Sequence, residues 1–366
     1  MRIIIAGGGT GGHIFPAISI AEEILMRDSE NKVLFVGTKR GMESRVIKNH
    51  AIEYISSGGV VGKGFIGSLK GIAFAIKGFF DSLRIIREFK PDLILGVGGY
   101  ASGPMVFASW LFMIPTAVCE QNSIPGITNR ILGKFVKRVF ASFEESIVFF
   151  PRKKTILVGN PVRRYILMEK DSSRRQNVFT ILVFGGSQGS HRLNISVPRA
   201  FGILGRKDIS LIHQTGYDDL NDVRKAYEWY GIRAEVFSFI EDIGSVYRHS
   251  DLVIGRAGAG TIAEITALGM PSILVPYPFS AYNHQFENAK SLERAGAAVV
   301  IEDKDAVPER FAEVLSDLLR REKLKEMGER ARRLGRPDAA KRIVDEIYKL
   351  VGIQDVGCKA QAKTLS

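Results

Sequence analysis

Apolar residues run unbroken through Ile3, Ile4 and Ile5 and again through Ile181, Leu182 and Val183, and each run opens onto a cluster of glycines. Short continuous runs bounded by turn residues predict strands buried on both faces. Laid together without a gap, Arg2-Ile-Ile-Ile-Ala-Gly-Gly-Gly-Thr-Gly-Gly-His13 covers Thr180-Ile-Leu-Val-Phe-Gly-Gly-Ser-Gln-Gly-Ser-His191. Both read as strand, glycine-rich turn and helix. Further along, Asp92-Leu-Ile-Leu-Gly96 and Asp251-Leu-Val-Ile-Gly255 each lead into a Gly/Ala/Ser loop and a helix. A second buried strand introduced by proline follows, Pro115 to Val118 in one half and Pro271 to Val275 in the other. One α/β design used twice is implied. Strands alternating with helices give parallel sheets covered on both faces, with ligands beyond the strands' carboxyl ends. The expected fold class is α/β, two Rossmann-like domains whose parallel sheets face a cleft.

The halves are unequal, because the stretch from His13 to Asp92 is longer than that from His191 to Asp251 and the surplus falls around Gly62 to Phe80. Within it Leu69, Ile72, Ile76, Phe79, Leu83 and Ile86 recur at spacings of three and four, a helix stripe expected to be core. Beside that stripe stand Ala73 and Phe80, then Lys70, Lys77 and Arg84, with Phe74 beyond. Cations flanked by phenylalanines suit the headgroup region of an anionic bilayer, and Lys63, Phe65 and Ile66 could dip into it. The bland alternative is a solvated edge weakened by Gly71 and Gly78. The domain junction is expected near Val158 to Val162, giving domains 1–160 and 161–351 with the last helix free to pack back on the first. Residues 171–177 read as a polar surface loop and 352–366 as a mobile tail.

Composition narrows the classes. A chain of 366 residues exceeds what one core usually serves, and 45% apolar content suffices for two. The formal charge of +12 asks for an anionic partner: nucleic acid, a phosphorylated substrate or an acidic bilayer. Nucleic acid is disfavoured, since the cations from Arg320 to Arg333 interleave with Glu322, Glu326 and Glu329 at helical i,i+4 spacing and no aromatic-rich basic module accompanies them. Cys119 and Cys358 match no metal or redox spacing, which fits a reducing cytosol. No signal peptide is read at the N-terminus. The apolar tract Met105 to Val118, broken by Pro115, is too short to span a bilayer, so membrane attachment is expected to be peripheral.

Gly7-Gly-Gly-Thr-Gly-Gly12 lets backbone amides at a helix start approach a phosphate, though alone it could serve only a tight turn. Strand Val33 to Gly37 ends in Thr38, Lys39 and Arg40 where a nicotinamide enzyme would hold ribose with an acid; NAD is disfavoured, and only NADP would suit those cations. In the second half, Gly258-Ala-Gly-Thr-Ile-Ala-Glu264 enters a helix with a carboxylate that could accept from two ribose hydroxyls, or merely serve the helix dipole. Gly185-Gly-Ser-Gln-Gly189 would hold a diphosphate through Ser187 and backbone amides. Arg163, after the Gly159-Asn-Pro161 turn, could reach the nucleotide or be a surface charge.

With these loops, Gly98-Gly-Tyr-Ala-Ser-Gly-Pro104, Glu120-Gln-Asn122, Arg256-Ala-Gly-Ala259 and Gln285-Phe-Glu-Asn-Ala289 complete a set of phrases. From Met1 to about Val351 the chain resembles the MurG family, peripheral glycosyltransferases that convert the cell-wall precursor lipid I to lipid II. The resemblance implies a GT-B fold, UDP-N-acetylglucosamine as donor, lipid I as acceptor, an anionic phospholipid surface as partner and the cytoplasmic face of the inner membrane as location. Inversion at the sugar carbon, no cofactor and no metal are implied as well. Carried over by motif, Thr10, Gly11 and Gly12 lie near sugar and diphosphate, and Asn122 and Gln285 bind sugar hydroxyls. Arg163 and Ser187 meet the nucleotide, Ile240 offers backbone groups to uracil, and Ala259, Gly260, Thr261, Ile262, Ala263 and Glu264 line the nucleotide. Two departures stand out: Cys119 where many members carry histidine, and Gly260 where a bulkier residue is common.

Inverting transfer needs a base for the attacking hydroxyl and neutralisation of the departing diphosphate. His13 is the first candidate base, because imidazole titrates near neutrality and ends the first glycine loop; packing at a helix start is its alternative. Glu120 is the second candidate, or a partner orienting the base. Asp303-Lys-Asp305 matches the acidic pair that binds Mn²⁺ elsewhere, yet it precedes a helix near Pro308, and turn or cap duty is expected. A nicotinamide oxidoreductase, a nucleic-acid-binding protein and another UDP-sugar enzyme of GT-B fold, either a glycolipid glycosyltransferase or a sugar-nucleotide epimerase, are the competing classes. The epimerase has no need of the basic, apolar insertion.

Overall fold

The computed structural model describes residues 1–39, 47, 50–57, 64–168 and 178–353, without the side chains of 64–73 and 321. The expected loop 171–177, Arg40, Lys63, the tail beyond 353 and the side chains of Phe65, Ile66, Leu69, Lys70, Ile72 and Ala73 therefore lie outside the described residues. The chain forms two compact units, Met1–Arg163 with Asp338–Ser366, and Arg164–Pro337.

Unit 1 holds β1 (Arg2–Ala6), β2 (Lys32–Gly37), β3 (Ala51–Tyr54), β4 (Leu93–Gly96), β5 (Thr116–Glu120), β6 (Arg138–Ala141) and β7 (Thr155–Leu157) in the order β3-β2-β1-β4-β5-β6-β7. Unit 2 holds β8 (Phe179–Phe184), β9 (Ile209–Gln214), β10 (Ala234–Phe237), β11 (Leu252–Gly255), β12 (Ser272–Leu274) and β13 (Val299–Val300) in the order β10-β9-β8-β11-β12-β13. The pairings are parallel, with Ile3 beside Val33 and Leu93, and Ile181 beside Leu211 and Leu252. The two sheets share one winding, and in each the order reverses beside the strand that ends in glycines. That reversal opens the crevice in which such sheets bind ligands.

The repeated aspartates have a structural cause. Asp92 accepts the Arg2 N–H at 2.7 Å and returns its own N–H to the Arg2 carbonyl, while Asp251 does the same for Thr180 at 2.9 Å. Each aspartate thus fixes the start of the central strand pair that delivers a glycine loop.

Unit 1 ends at Arg163, within a few residues of the expected junction, and the last helix, Ala339–Val351, packs back on unit 1, the arrangement the sequence left open. Ile343, Val344, Ile347 and Tyr348 enter the core built by Ile3, Ile5, Ile20 and Ile24. Arg27 fastens the contact, paired with Asp345 at 2.6 Å and donating to the Lys341 carbonyl.

The insertion is one helix, Gly64–Phe89. Among its described side chains Gly78, Ser82, Ile85 and Ile86 are buried and Phe79 and Leu83 partly so, whereas Ile76, expected in the core, is 55% exposed. A side chain at Gly78 would collide with the Ser56 carbonyl. Small residues let the helix approach the chain closely on the Gly78–Ser82 side, and this turns Ile76 outward. The polar run near the C-terminus also has a fold-level use: Arg332 donates to the Leu268 carbonyl at 3.0 Å, closing the end of helix Ala259–Leu268.

Candidate active site

In unit 1, β1 delivers Gly7, Gly8 and Gly9 at positive φ. A side chain on Gly7 would strike the Gly98 carbonyl and Val97, and the Gly8 N–H donates to Gly98 at 3.2 Å. The first glycine loop and the loop after β4 therefore pack backbone to backbone. Exposed Thr10 is the extended N-cap of helix Gly11–Arg27, its carbonyl accepting from the N–H groups of His13 and Ile14. Gly11 and Gly12 form that helix's first turn, whose leading amides have no intrahelical acceptors. His13 is half-buried with Nδ1 3.2 Å from the Gly8 carbonyl. A carbonyl only accepts, so in the neutral ring this contact places the hydrogen on Nδ1.

Glu120, the last residue of β5, is buried. Oε1 accepts from the backbone N–H of Asn122 (3.0 Å) and its side-chain amide (3.4 Å), and Oε2 from Asn129 (2.9 Å) and the Gly126 N–H (3.3 Å). Burial raises its pKa, and these bonds oppose the shift. Both oxygens accept from the loop after β5, so Glu120 helps to hold that loop in shape. Asn122 emerges from that loop half-buried. Cys119 is buried inside the sheet, its thiol pushed far up by burial, so its side chain faces the core. Arg163 lays its guanidinium over the Phe15 ring at 4.5 Å, a cation–π contact with the helix that carries His13.

Unit 2 repeats the arrangement with different side chains. Ser187 is exposed at the tip of the loop Gly185 to Gly189, ahead of helix His191–Leu204. Ile240 lies in the turn after β10, its N–H donating to the Gln214 side chain at 3.0 Å. That amide is thus engaged inside the protein. Ala259, Gly260, Thr261, Ile262, Ala263 and Glu264 open helix Ala259–Leu268. Gly260 is helical with open space where a side chain would stand, so it loosens no turn. Glu264, buried in the second turn, lies beyond the first-turn position best placed for the helix dipole. Its Oε2 accepts from the Tyr247 hydroxyl at 3.0 Å, and the Tyr247 ring meets Phe184 edge-on. Phe184 immediately precedes the glycine loop, so Tyr247 ties the carboxylate to it. No sequence pattern pointed to Tyr247.

Gln285 accepts the Tyr277 N–H at 2.9 Å through Oε1. It follows Tyr282 and Asn283, both left-handed at φ 53° and 56°, an adjacent pair of strained residues of the kind that clusters at ligand sites. Asp303 is bound to Arg256 at 2.5 Å with Arg192 at 4.0 Å, so the Asp303/Asp305 pair is not an open acidic site.

Unit 1 also presents rings in sequence. Phe79 contacts Phe80 and Phe107, Phe107 stacks on Trp110, and Trp110 meets Phe135 at 4.8 Å between centroids. Phe80 is 63% exposed, and Met113, at the end of helix Ser102–Leu111, is 90% exposed. Among the described residues no helix is long and apolar enough to cross a membrane.

Two parallel-sheet units of one winding, each with a glycine loop at its order reversal, have the architecture of an enzyme of the GT-B class. Residues 3–141 match the glycosyltransferase family 28 N-terminal domain and 180–343 the glycosyltransferase family 28 C-terminal domain. The chain belongs to glycosyltransferase family 28 and, within it, to the MurG family. It is 44% identical to the UDP-N-acetylglucosamine--N-acetylmuramyl-(pentapeptide) pyrophosphoryl-undecaprenol N-acetylglucosamine transferase of Myxococcus xanthus, covering 100% of this chain and 96% of that protein. The protein of the same name from Geobacter sulfurreducens is 46% identical, over 95% and 98%. Among solved structures, Acinetobacter baumannii MurG matches with a TM-score of 0.79 at 30% identity, covering 95% of this chain and 99% of that one. A UDP-GlcNAc 2-epimerase from Neisseria meningitidis shares the fold alone, with a TM-score of 0.68 at 16% identity over 95% and 100% of the two chains.

Proposed function

We propose that this protein moves N-acetylglucosamine from UDP-N-acetylglucosamine to lipid I, undecaprenyl-pyrophosphoryl-N-acetylmuramoyl-pentapeptide, forming lipid II with inversion at the sugar carbon. The observation that carries the proposal is the 44% and 46% identity, sustained along nearly the whole chain, to transferases named for this reaction. In unit 2, Glu264 held by Tyr247 accepts from ribose hydroxyls, and Ser187 with the amides of its loop holds the diphosphate. The start of helix His191–Leu204 offsets the charge left on the departing UDP. Asn122 and Gln285 bind sugar hydroxyls, Thr10, Gly11 and Gly12 attend the sugar and diphosphate, and Arg163 meets the nucleotide. The acceptor hydroxyl attacks the sugar's C1, the bond from C1 to the diphosphate oxygen breaks with its electron pair leaving on UDP, and the hydroxyl proton passes to His13 Nε2.

The aromatic face of unit 1, edged by exposed Lys77 and Lys134, supports peripheral attachment to anionic phospholipid at the cytoplasmic face of the membrane. A transferase assay with UDP-N-acetylglucosamine and a lipid I analogue tests the reaction. His13→Ala is expected to lower kcat by ~10²- to 10⁴-fold with UDP affinity kept, and excess EDTA to leave the wild type active. Normal turnover by His13→Ala would remove the base, and no binding of UDP by the wild type would remove the donor.

A further inference from the structure

Gln214 closes β9, the strand lying between β8 and β10, and it is level with the last residue of each, Phe184 and Phe237. The loops leaving those two neighbours are the diphosphate loop and the turn carrying Ile240. Its side chain is 5% exposed and reaches both: Nε2 donates to the Gly186 carbonyl at 2.8 Å, and Oε1 accepts the Ile240 N–H at 3.0 Å. One partner only accepts and the other only donates, so the orientation of the amide is fixed by chemistry. In the duplicated first half the position level with Ala6 on β2 is Val36, which can make neither bond. The bridge therefore belongs to one of two otherwise matching sheets, the one read here as the donor half.

We propose that Gln214 is a positioning residue for the nucleotide, coupling recognition of the base to recognition of the diphosphate. This rests on the reading of unit 2 as the UDP-sugar half. By holding the Ile240 N–H, Gln214 leaves the Ile240 carbonyl to face the base edge. A carbonyl accepts from the N3–H of uracil and opposes the N3 lone pair of cytosine. By donating to Gly186, the same side chain fixes the loop whose amides meet the phosphates. Rotation of either loop costs a bond at the shared amide, so the two subsites are set together.

Isothermal titration of the full chain with UDP, UMP and CDP separates the two arms. Gln214→Leu, which loses both bonds, is expected to bind UDP about tenfold more weakly and to lose much of the preference for UDP over CDP. Gln214→Glu keeps the acceptor for Ile240 but cannot donate to Gly186. It is expected to keep the UDP-over-CDP preference while the gain from UMP to UDP shrinks. A residue that only stabilised the fold would lower the melting temperature and leave both ratios as in wild type. Wild-type ratios in folded Gln214→Glu would overturn the coupling even if Gln214→Leu fails to fold. Absence of UDP binding by the wild-type chain would instead overturn the donor reading itself.

Discussion

Glu264 depends on a neighbour remote in sequence. Tyr247 gives it a hydrogen bond inside the fold and itself packs edge-on against Phe184, so the carboxylate is held in place by the fold. Tyr247→Phe keeps the ring and removes that bond, and should weaken UDP binding by about 1 kcal/mol without unfolding the protein. Titration with UDP checks this, and unchanged affinity would show that the carboxylate needs no support. His213 is a second buried group with a definite state. Asn194 donates to the Thr215 carbonyl and to Asp219, so its oxygen faces His213 Nε2, which must carry the hydrogen while Nδ1 accepts from Tyr227. Burial pushes the imidazole pKa down to about 3, against the pull of Asp219. With the folded pKa below the unfolded value, this stabilising contribution is complete above about pH 6.5 and is lost as pH falls towards 3. Between pH 7.5 and 5 the wild type should lose about 2 kcal/mol that His213→Gln does not lose. Denaturant melts at both pH values would compare them, and equal losses would acquit the histidine.

At the scale of elements, the helix Gly64–Phe89 teaches most. Its apolar periodicity was legible, but the buried side is set by Gly78 and Ser82, since close approach to Ser56 favours small residues over the larger Ile76. Helical spacing cannot weigh a large apolar residue against a close contact made possible by having no side chain. The exposed rings then join those of helix Ser102–Leu111 and Phe135, residues scattered along the chain that no single stripe reveals. Phe80→Ser with Met113→Ser should reduce flotation with vesicles containing anionic lipid, Lys77→Glu should reduce it further, and high salt should weaken it, all with UDP affinity intact. Equal flotation of wild type and the triple variant would move the membrane face elsewhere.

At the scale of the whole molecule, unit 1 is closed by a segment that follows unit 2 in the chain. Ile347 is fully buried against the first helix, and Ile347→Ala should destabilise unit 1 by ~2 to 5 kcal/mol. Chemical denaturation read by a unit 1 probe should reveal the loss while UDP binding in unit 2 persists. A loss of UDP affinity at the same denaturant concentration would mean that the units do not unfold separately.

The sequence by itself determined the duplication, the parallel sheets, the glycine loops and the carboxylate after Gly258, because strand runs, glycine turns and helix starts are local and leave local patterns. It also carried the family phrases. Tertiary structure alone decided that Glu120 organises a loop, that Asp303 answers Arg256, that Gln214 bridges two loops and that Ile343, Val344, Ile347 and Tyr348 are the residues by which the last helix fills the core of unit 1. A polar side chain takes its role from its partners, and these partners are supplied by neighbouring strands, loops or helices that can be distant in sequence. Hydrogen-bond direction, burial and close approach exist only once the sheets have brought them together.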